Sequence, residues 1–144
     1  MRGPRACGTG AWKDKILEYS KELGIEDNCV FLGYRKDIAK ILQITDVLMH
    51  ASYREGLTLS VSEAMSFGVP CVVSNVRGNR DLIVDGKGGF VVEPTDDLAF
   101  AEKIQEILAD ENLQIQFGAF NKNRSMDYTV DKVKDQLKEI YNQM

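Results

Sequence analysis

Two carboxylates, Glu55 and Glu63, bracket the segment Glu55-Gly56-Leu57-Thr58-Leu59-Ser60-Val61-Ser62-Glu63. An apolar run ending near Met49 precedes it, and a second run, Cys71-Val72-Val73, follows beyond Gly68 and Pro70. The order is strand, polar loop with a glycine, helix, strand. In open α/β sheets such a loop sits at the carboxyl edge, where ligands bind. The helix start presents unpaired backbone N–H groups suited to a phosphate. Carboxylates repel phosphate, so the partners expected for Glu55 and Glu63 are neutral hydroxyls, as on a sugar or ribose. The plainer alternatives are that Glu55 caps its loop or pairs with Arg54, and that Glu63 is an ordinary solvated helix residue.

The elements that must position these groups alternate along the chain. Trp12, Ile16, Leu17 and Leu23 recur at helical spacing, with Gly24 as the stop. Cys29 to Leu32 reads as a short buried strand ending at Gly33, and Tyr34 and Arg35 follow that strand end, either near a ligand's base or equally as ordinary surface residues. Asp37 can cap a helix carrying Ile38, Ile41 and Leu42. Val47 to Met49 is a strand, and Thr58 or Ser60 can cap the helix through Ala64, Met65 and Phe67. Cys71 to Ser74 and Phe90 to Val92 are further strands. Asp96 or Asp97 starts one late helix, residues 111 to 120 form a second, and Val130, Val133, Leu137 and Ile140 stripe a third. Arg80 and Asp81 read as a local ion pair. Strands alternating with helices predict an α/β fold, a parallel sheet flanked by helices.

Bulk properties exclude several classes. The 144 residues are 44% hydrophobic and 28% charged, which fits one globular domain spanning 1–144. A net charge of -4 argues against nucleic-acid binding. Apolar stretches fall short of the roughly 20 residues of a membrane-spanning helix, and no signal-peptide core follows Met1 to Arg5. Cys7, Cys29 and Cys71 lack a Cys-x-x-Cys pair and His50 is the single histidine, so no metal site is expected. Reduced, buried thiols point to the cytoplasm. His50, at a strand end, reads more readily as a packed residue than as a catalytic one.

The pattern Glu55-x7-Glu63, then Ala64-Met65, Gly68-Val69-Pro70, Gly78 and Asp85-Gly86 to Val92, resembles the C-terminal donor-binding domain of GT-B fold glycosyltransferases, family 4 (glycosyl transferases group 1). Gly8-Thr9-Gly10 resembles that family's Gly-x-Gly turn, and Phe31 to Tyr34 its Phe-x-Gly strand end. The resemblance covers about residues 7 to 143. It implies a Rossmann-like sheet and retaining transfer of a sugar from a nucleotide-diphosphate sugar to an acceptor hydroxyl, with no cofactor beyond that substrate. Glu55 is then the catalytic residue touching sugar hydroxyls, and Glu63 holds the ribose diol. Backbone at Gly56, Leu57 and Thr58 faces the diphosphate and sugar, with Gly8, Thr9, Gly10, Tyr34 and Arg35 completing donor binding. The stretch from Asn75 to Ile83 resembles members that build bacterial capsule, exopolysaccharide or lipopolysaccharide.

The same resemblance marks departures. The first two strands of the donor domain, with an Arg and a Lys that neutralise diphosphate, are expected to be missing, since Met1 to Cys7 read as containing no strand. The acceptor, a glycan or lipid-linked glycan, would bind through an absent N-terminal domain, so the chain alone is expected to be inactive and to self-associate at an exposed edge. In the full-length enzyme a cytoplasmic location, peripheral to the inner face of the membrane, follows. The alternative is a non-catalytic nucleotide-sugar-binding fragment, or a subunit needing a partner chain.

Overall fold

Strand pairing in this protein is parallel throughout and every crossover carries a helix. The structure is a computed structural model that describes residues 3–142. These fall into two compact units divided between Ile38 and Ala39.

The first unit is a single βαβ turn: strand β1 (Arg5–Cys7), helix α1 (Lys13–Glu22) and strand β2 (Val30–Gly33). The partners across β1 and β2 are Arg5 with Val30, Ala6 with Phe31 and Cys7 with Gly33, with a register shift before Cys7. The sequence predicts no strand ahead of Gly8, and β1 corrects that expectation. Its three residues are all exposed and show no apolar alternation, so nothing local announces a strand. Backbone pairing with β2 makes it one, reinforced by Val30 N–H donating to the Pro4 carbonyl at 3.0 Å. The apolar stripe of α1 is real, but Trp12, Ile16 and Leu23 stay more than half exposed.

The second unit holds a three-stranded sheet in the order β3 (Leu48–His50), β4 (Cys71–Ser74), β5 (Gly89–Val92). Helix α2 (Ile38–Leu42) leads into it, α3 (Leu59–Ser66) joins β3 to β4, and α4 (Arg77–Leu82) joins β4 to β5. The central strand β4 is buried at every residue. Its unbroken Cys-Val-Val run is what a parallel strand covered on both faces requires. After the sheet come α5 (Asp97–Ala109), α6 (Glu111–Ser125) and α7 (Val130–Asn142).

Val72, Val92, Phe100, Ile107 and Phe117 form one buried cluster that seats α5 and α6 on the sheet. Phe90 meets Phe117 edge-on, ring centroids 5.4 Å apart. Each large side chain buried this way stabilises the fold by about 1.5–3 kcal/mol. Asp96 caps α5 by accepting from Ala99 N–H at 2.9 Å, and Asp110 caps α6 by accepting from Leu113 N–H at 3.1 Å. α6 runs five residues past the expected end at 120, to Ser125. There Arg124 donates to the carbonyls of Leu82 and Asp81 at 2.8 and 2.9 Å, tying α6 to the end of α4. The apolar stripe of α7 forms as expected from its periodicity, yet α7 buries none of its described residues.

The three thiols differ in environment. Cys7 is exposed, Cys29 half-buried and Cys71 fully buried. Burial alone pushes the Cys71 thiol far above its usual range, which removes the reactive thiolate. Iodoacetamide should therefore label Cys7 in the native chain while Cys71 reacts only after denaturation. Peptide mass spectrometry checks this, and native labelling of Cys71 at the rate of Cys7 would contradict the buried β4.

Candidate functional site

β3 and β4 end side by side, at His50 and Ser74, and the chain between β3 and α3 crosses the carboxyl edge above them. A buried polar network pins this loop. Ser52 N–H donates to Ser74 Oγ at 3.0 Å, and the Ser74 hydroxyl reaches the His50 carbonyl at 3.5 Å. Asn79, on α4 and without solvent exposure, donates through Nδ2 to Ser74 Oγ at 3.0 Å and to the Ser74 carbonyl at 3.1 Å. Its Oδ1 accepts from the Thr58 hydroxyl at 2.9 Å. Four segments are thus tied together: the ends of β3 and β4 and the starts of α3 and α4.

Thr58 occupies the N-cap position of α3, as expected, but its side chain makes no capping bond. Of the two cap candidates, Thr58 and Ser60, Thr58 holds the position, and its hydroxyl is committed to Asn79 instead. The first-turn N–H groups of α3 are therefore left without a side-chain partner, and the positive end of the helix stays open to an anion. Gly78 explains how closely α4 backs the loop. A methyl group there would overlap the Gly56 carbonyl oxygen and press on Glu55 Cβ at 3.2 Å, so only glycine fits.

Glu55 leaves this loop with its side chain 30% exposed, and it faces His50 rather than Arg54: Oε1 lies 3.7 Å from His50 Nε2. Gly56 and Leu57 are exposed, Thr58 is buried, and Glu63 stands exposed on the second turn of α3 between buried Val61 and Ala64. All five belong to the second unit. The expected Arg80–Asp81 pair does not form; Asp81 lies 3.9 Å from Arg77. On a helix, residues four apart share a face and adjacent ones do not.

The remaining predicted residues belong to the first unit. Gly8, at φ 130°, donates its N–H to the Gly33 carbonyl at 2.8 Å. The turns after β1 and β2 therefore lie together, which brings Gly8, Thr9 and Gly10 to the same carboxyl edge as Tyr34 and Arg35. The Gly10 carbonyl accepts from Lys13 N–H at 3.0 Å as α1 begins. Tyr34 is 72% exposed. Arg35 forms a two-pronged pair with Asp37 at 2.8 and 2.6 Å; the hydrogen bond first, then the charge of Asp37, raises its already high pKa. Among the described residues no three metal-ligating side chains cluster, and no helix is long and apolar enough to cross a membrane.

Asn79 and Ser74 are the site residues that sequence reading missed. The available signal was small: a serine closing an otherwise apolar strand, and an asparagine just after the Gly78 that the family pattern contains.

The family described as glycosyl transferases group 1 matches residues 5–124, and the chain belongs to it. The UDP-Gal:alpha-D-GlcNAc-diphosphoundecaprenol alpha-1,3-galactosyltransferase of Escherichia coli is 31% identical over 131 residues, 91% of this chain and 34% of that protein. The N-acetyl-alpha-D-glucosaminyl L-malate synthase of Bacillus anthracis is 31% identical over 140 residues, 96% of this chain and 35% of that protein. The chain thus spans about a third of the length of these relatives. Among solved structures, Anabaena Alr3699/HepE in complex with UDP superimposes with a TM-score of 0.91 at 23% identity, covering 99% of this chain and 41% of that one. The fold is that of the GT-B glycosyltransferases.

Proposed function

We propose that this chain is the donor-binding, C-terminal half of a family 4 glycosyltransferase that transfers a hexose from a nucleotide-diphosphate sugar to an acceptor hydroxyl with retention of configuration. The observation that carries the reading is the open N-terminus of α3 beside a pinned Glu55 loop. The amides of α3, with the backbone of Gly56, Leu57 and Thr58, receive the diphosphate. Glu55 accepts hydrogen bonds from sugar hydroxyls, and Glu63 holds the two ribose hydroxyls; charge-assisted bonds of this kind are about twice as strong as neutral ones. Gly8, Thr9, Gly10, Tyr34 and Arg35, gathered at one carboxyl edge within the first unit, are that unit's candidates for nucleotide contacts. No metal or other cofactor enters. In the transfer the bond from the anomeric carbon to the diphosphate oxygen breaks, and the acceptor oxygen bonds the same carbon from the same face. The diphosphate takes the electron pair and then the proton released by the acceptor hydroxyl, and the charge that develops on it is stabilised by donors already aimed at it.

The acceptor is a glycan or lipid-linked glycan of bacterial surface polysaccharide, reached at the cytoplasmic face of the membrane through a partner domain. The name of the Escherichia coli relative, with its diphosphoundecaprenol-linked acceptor, supports this. The second reading is a nucleotide-sugar-binding subunit or fragment that works with another chain. Sugar transfer by the longest polypeptide that carries this segment separates the two.

Glu63→Ala in that polypeptide should raise the donor KM about tenfold and leave kcat within about twofold, because the ribose contact is equally strong in ground and transition states. Initial rates at varied donor concentration decide it. An unchanged KM with a collapsed kcat would remove Glu63 from the ribose.

A further inference from the structure

His50 is the last residue of β3, in register with Val73 of β4. Its side chain is 22% exposed, and the two ring nitrogens meet opposite surroundings. Nε2 points at Glu55 Oε1 from 3.7 Å, while Nδ1 is buried with no hydrogen-bond partner among the described residues. An unpaired polar atom inside a protein costs stability and requires a reason. An apolar side chain would close the end of β3 without that cost. A neutral imidazole carries one N–H and one lone pair. The N–H belongs where an acceptor stands, on Nε2 toward the carboxylate, and the lone pair is left at Nδ1. The ring is therefore an oriented single donor, anchored at its base by the strand pairing of β3 with β4. The separation is longer than a hydrogen bond, but a carboxylate shift of under about 1 Å closes it. Such contacts commonly tighten when substrate is bound. A carboxylate has about four acceptor positions, so one spent on His50 leaves room for two sugar hydroxyls.

We infer that His50 is a positioning residue for Glu55: its Nε2–H selects the carboxylate orientation that receives the sugar hydroxyls. This rests on the reading that Glu55 touches the donor sugar, and it adds a determinant of turnover that lies outside the pair Glu55 and Glu63. His50 itself touches no reacting atom in this scheme.

The test is a pair of polar variants in the longest polypeptide carrying the segment. In H50Q the amide nitrogen falls near the Nε2 position and can still reach Glu55; in H50N it falls near Nδ1 and cannot. With a UDP-sugar donor, H50N should lower kcat about fivefold with KM within about twofold, and H50Q should keep at least about half the wild-type kcat. In an E55Q background, H50N should add nothing further, because the partner it positions is gone. Equal losses in H50N and H50Q, or an H50N loss that multiplies in full with E55Q, would overturn the proposal. Ring nitrogen NMR separates this failure from failure of the glycosyltransferase reading. The wild type should show Nε2 protonated and Nδ1 bare, with the Nε2 signal moving in E55Q. That result in a protein that transfers no sugar would keep the contact and remove the enzymatic reading. A ring protonated on Nδ1 would overturn the positioning role whatever the activity.

Discussion

Glu55→Gln should lower kcat/KM at least about tenfold, which is about 1.4 kcal/mol on the barrier. The substitution keeps the shape of the side chain and replaces one acceptor oxygen by an NH2 donor. Where a carboxylate takes two sugar hydroxyls, the amide can take one and must turn its donor face to the other. In the proposed reading the sugar contact lies beside the carbon at which bonding changes, so it can tighten as positive character develops on the ring. Only interactions stronger in the transition state than in the ground state accelerate the step. The loss should therefore fall on kcat more than on KM. Gly78 holds the backbone of this loop by direct contact with Gly56 and Glu55, so the variant should fold as the wild type does. Equal kcat/KM for wild type and E55Q would end the catalytic assignment of Glu55.

Asn79→Ala should destabilise the protein by about 1–3 kcal/mol, the cost of leaving one buried polar group unpaired. Thr58 is almost fully buried and its hydroxyl loses Asn79 Oδ1, whereas the Ser74 carbonyl keeps Val76 N–H and the Ser74 hydroxyl keeps Ser52 N–H. The functional effect has its own sign. Freed from Asn79, the Thr58 hydroxyl can turn back onto the first turn of α3 and cap it, as threonine can at a helix start. In the proposed reading it then competes with the diphosphate for the same amides, so donor affinity should fall along with stability. Urea titrations of wild type, N79A, T58V and the double variant measure the first effect. The double should cost less than the sum of the singles, because the two side chains are partners. A change below about 0.5 kcal/mol for N79A would show that water replaces the network, and that Asn79 does not organise the site.

What the sequence determined by itself was the part written in local patterns. β4 was legible because a strand buried on both faces must be apolar at every position, and Gly68 with Pro70 marks its start. α5 was legible because Asp96 stands at a cap position ahead of an apolar stripe. The order of motifs from Glu55 to Val92 was enough to mark the family, because each element there carries its own short-range signal. β1 was not legible: Arg5–Cys7 becomes a strand through the partner it finds in β2, 25 residues away in the chain at the Arg5–Val30 pair. The ion pair of α4 was misassigned because adjacency in sequence is not adjacency on a helix. The decisive features of the site are all of this second kind. Thr58 is drawn from its cap by Asn79, 21 residues on. His50 meets Glu55 across a turn of the loop. Gly78 is needed because a carbonyl at Gly56 passes where a side chain would be. Chain pattern sets which groups are present and on which element, since propensity and burial act over a few residues. Which of those groups face one another was decided only when parallel strands brought their carboxyl ends into line, because a hydrogen bond between distant segments depends on distance in space and carries no trace in sequence spacing.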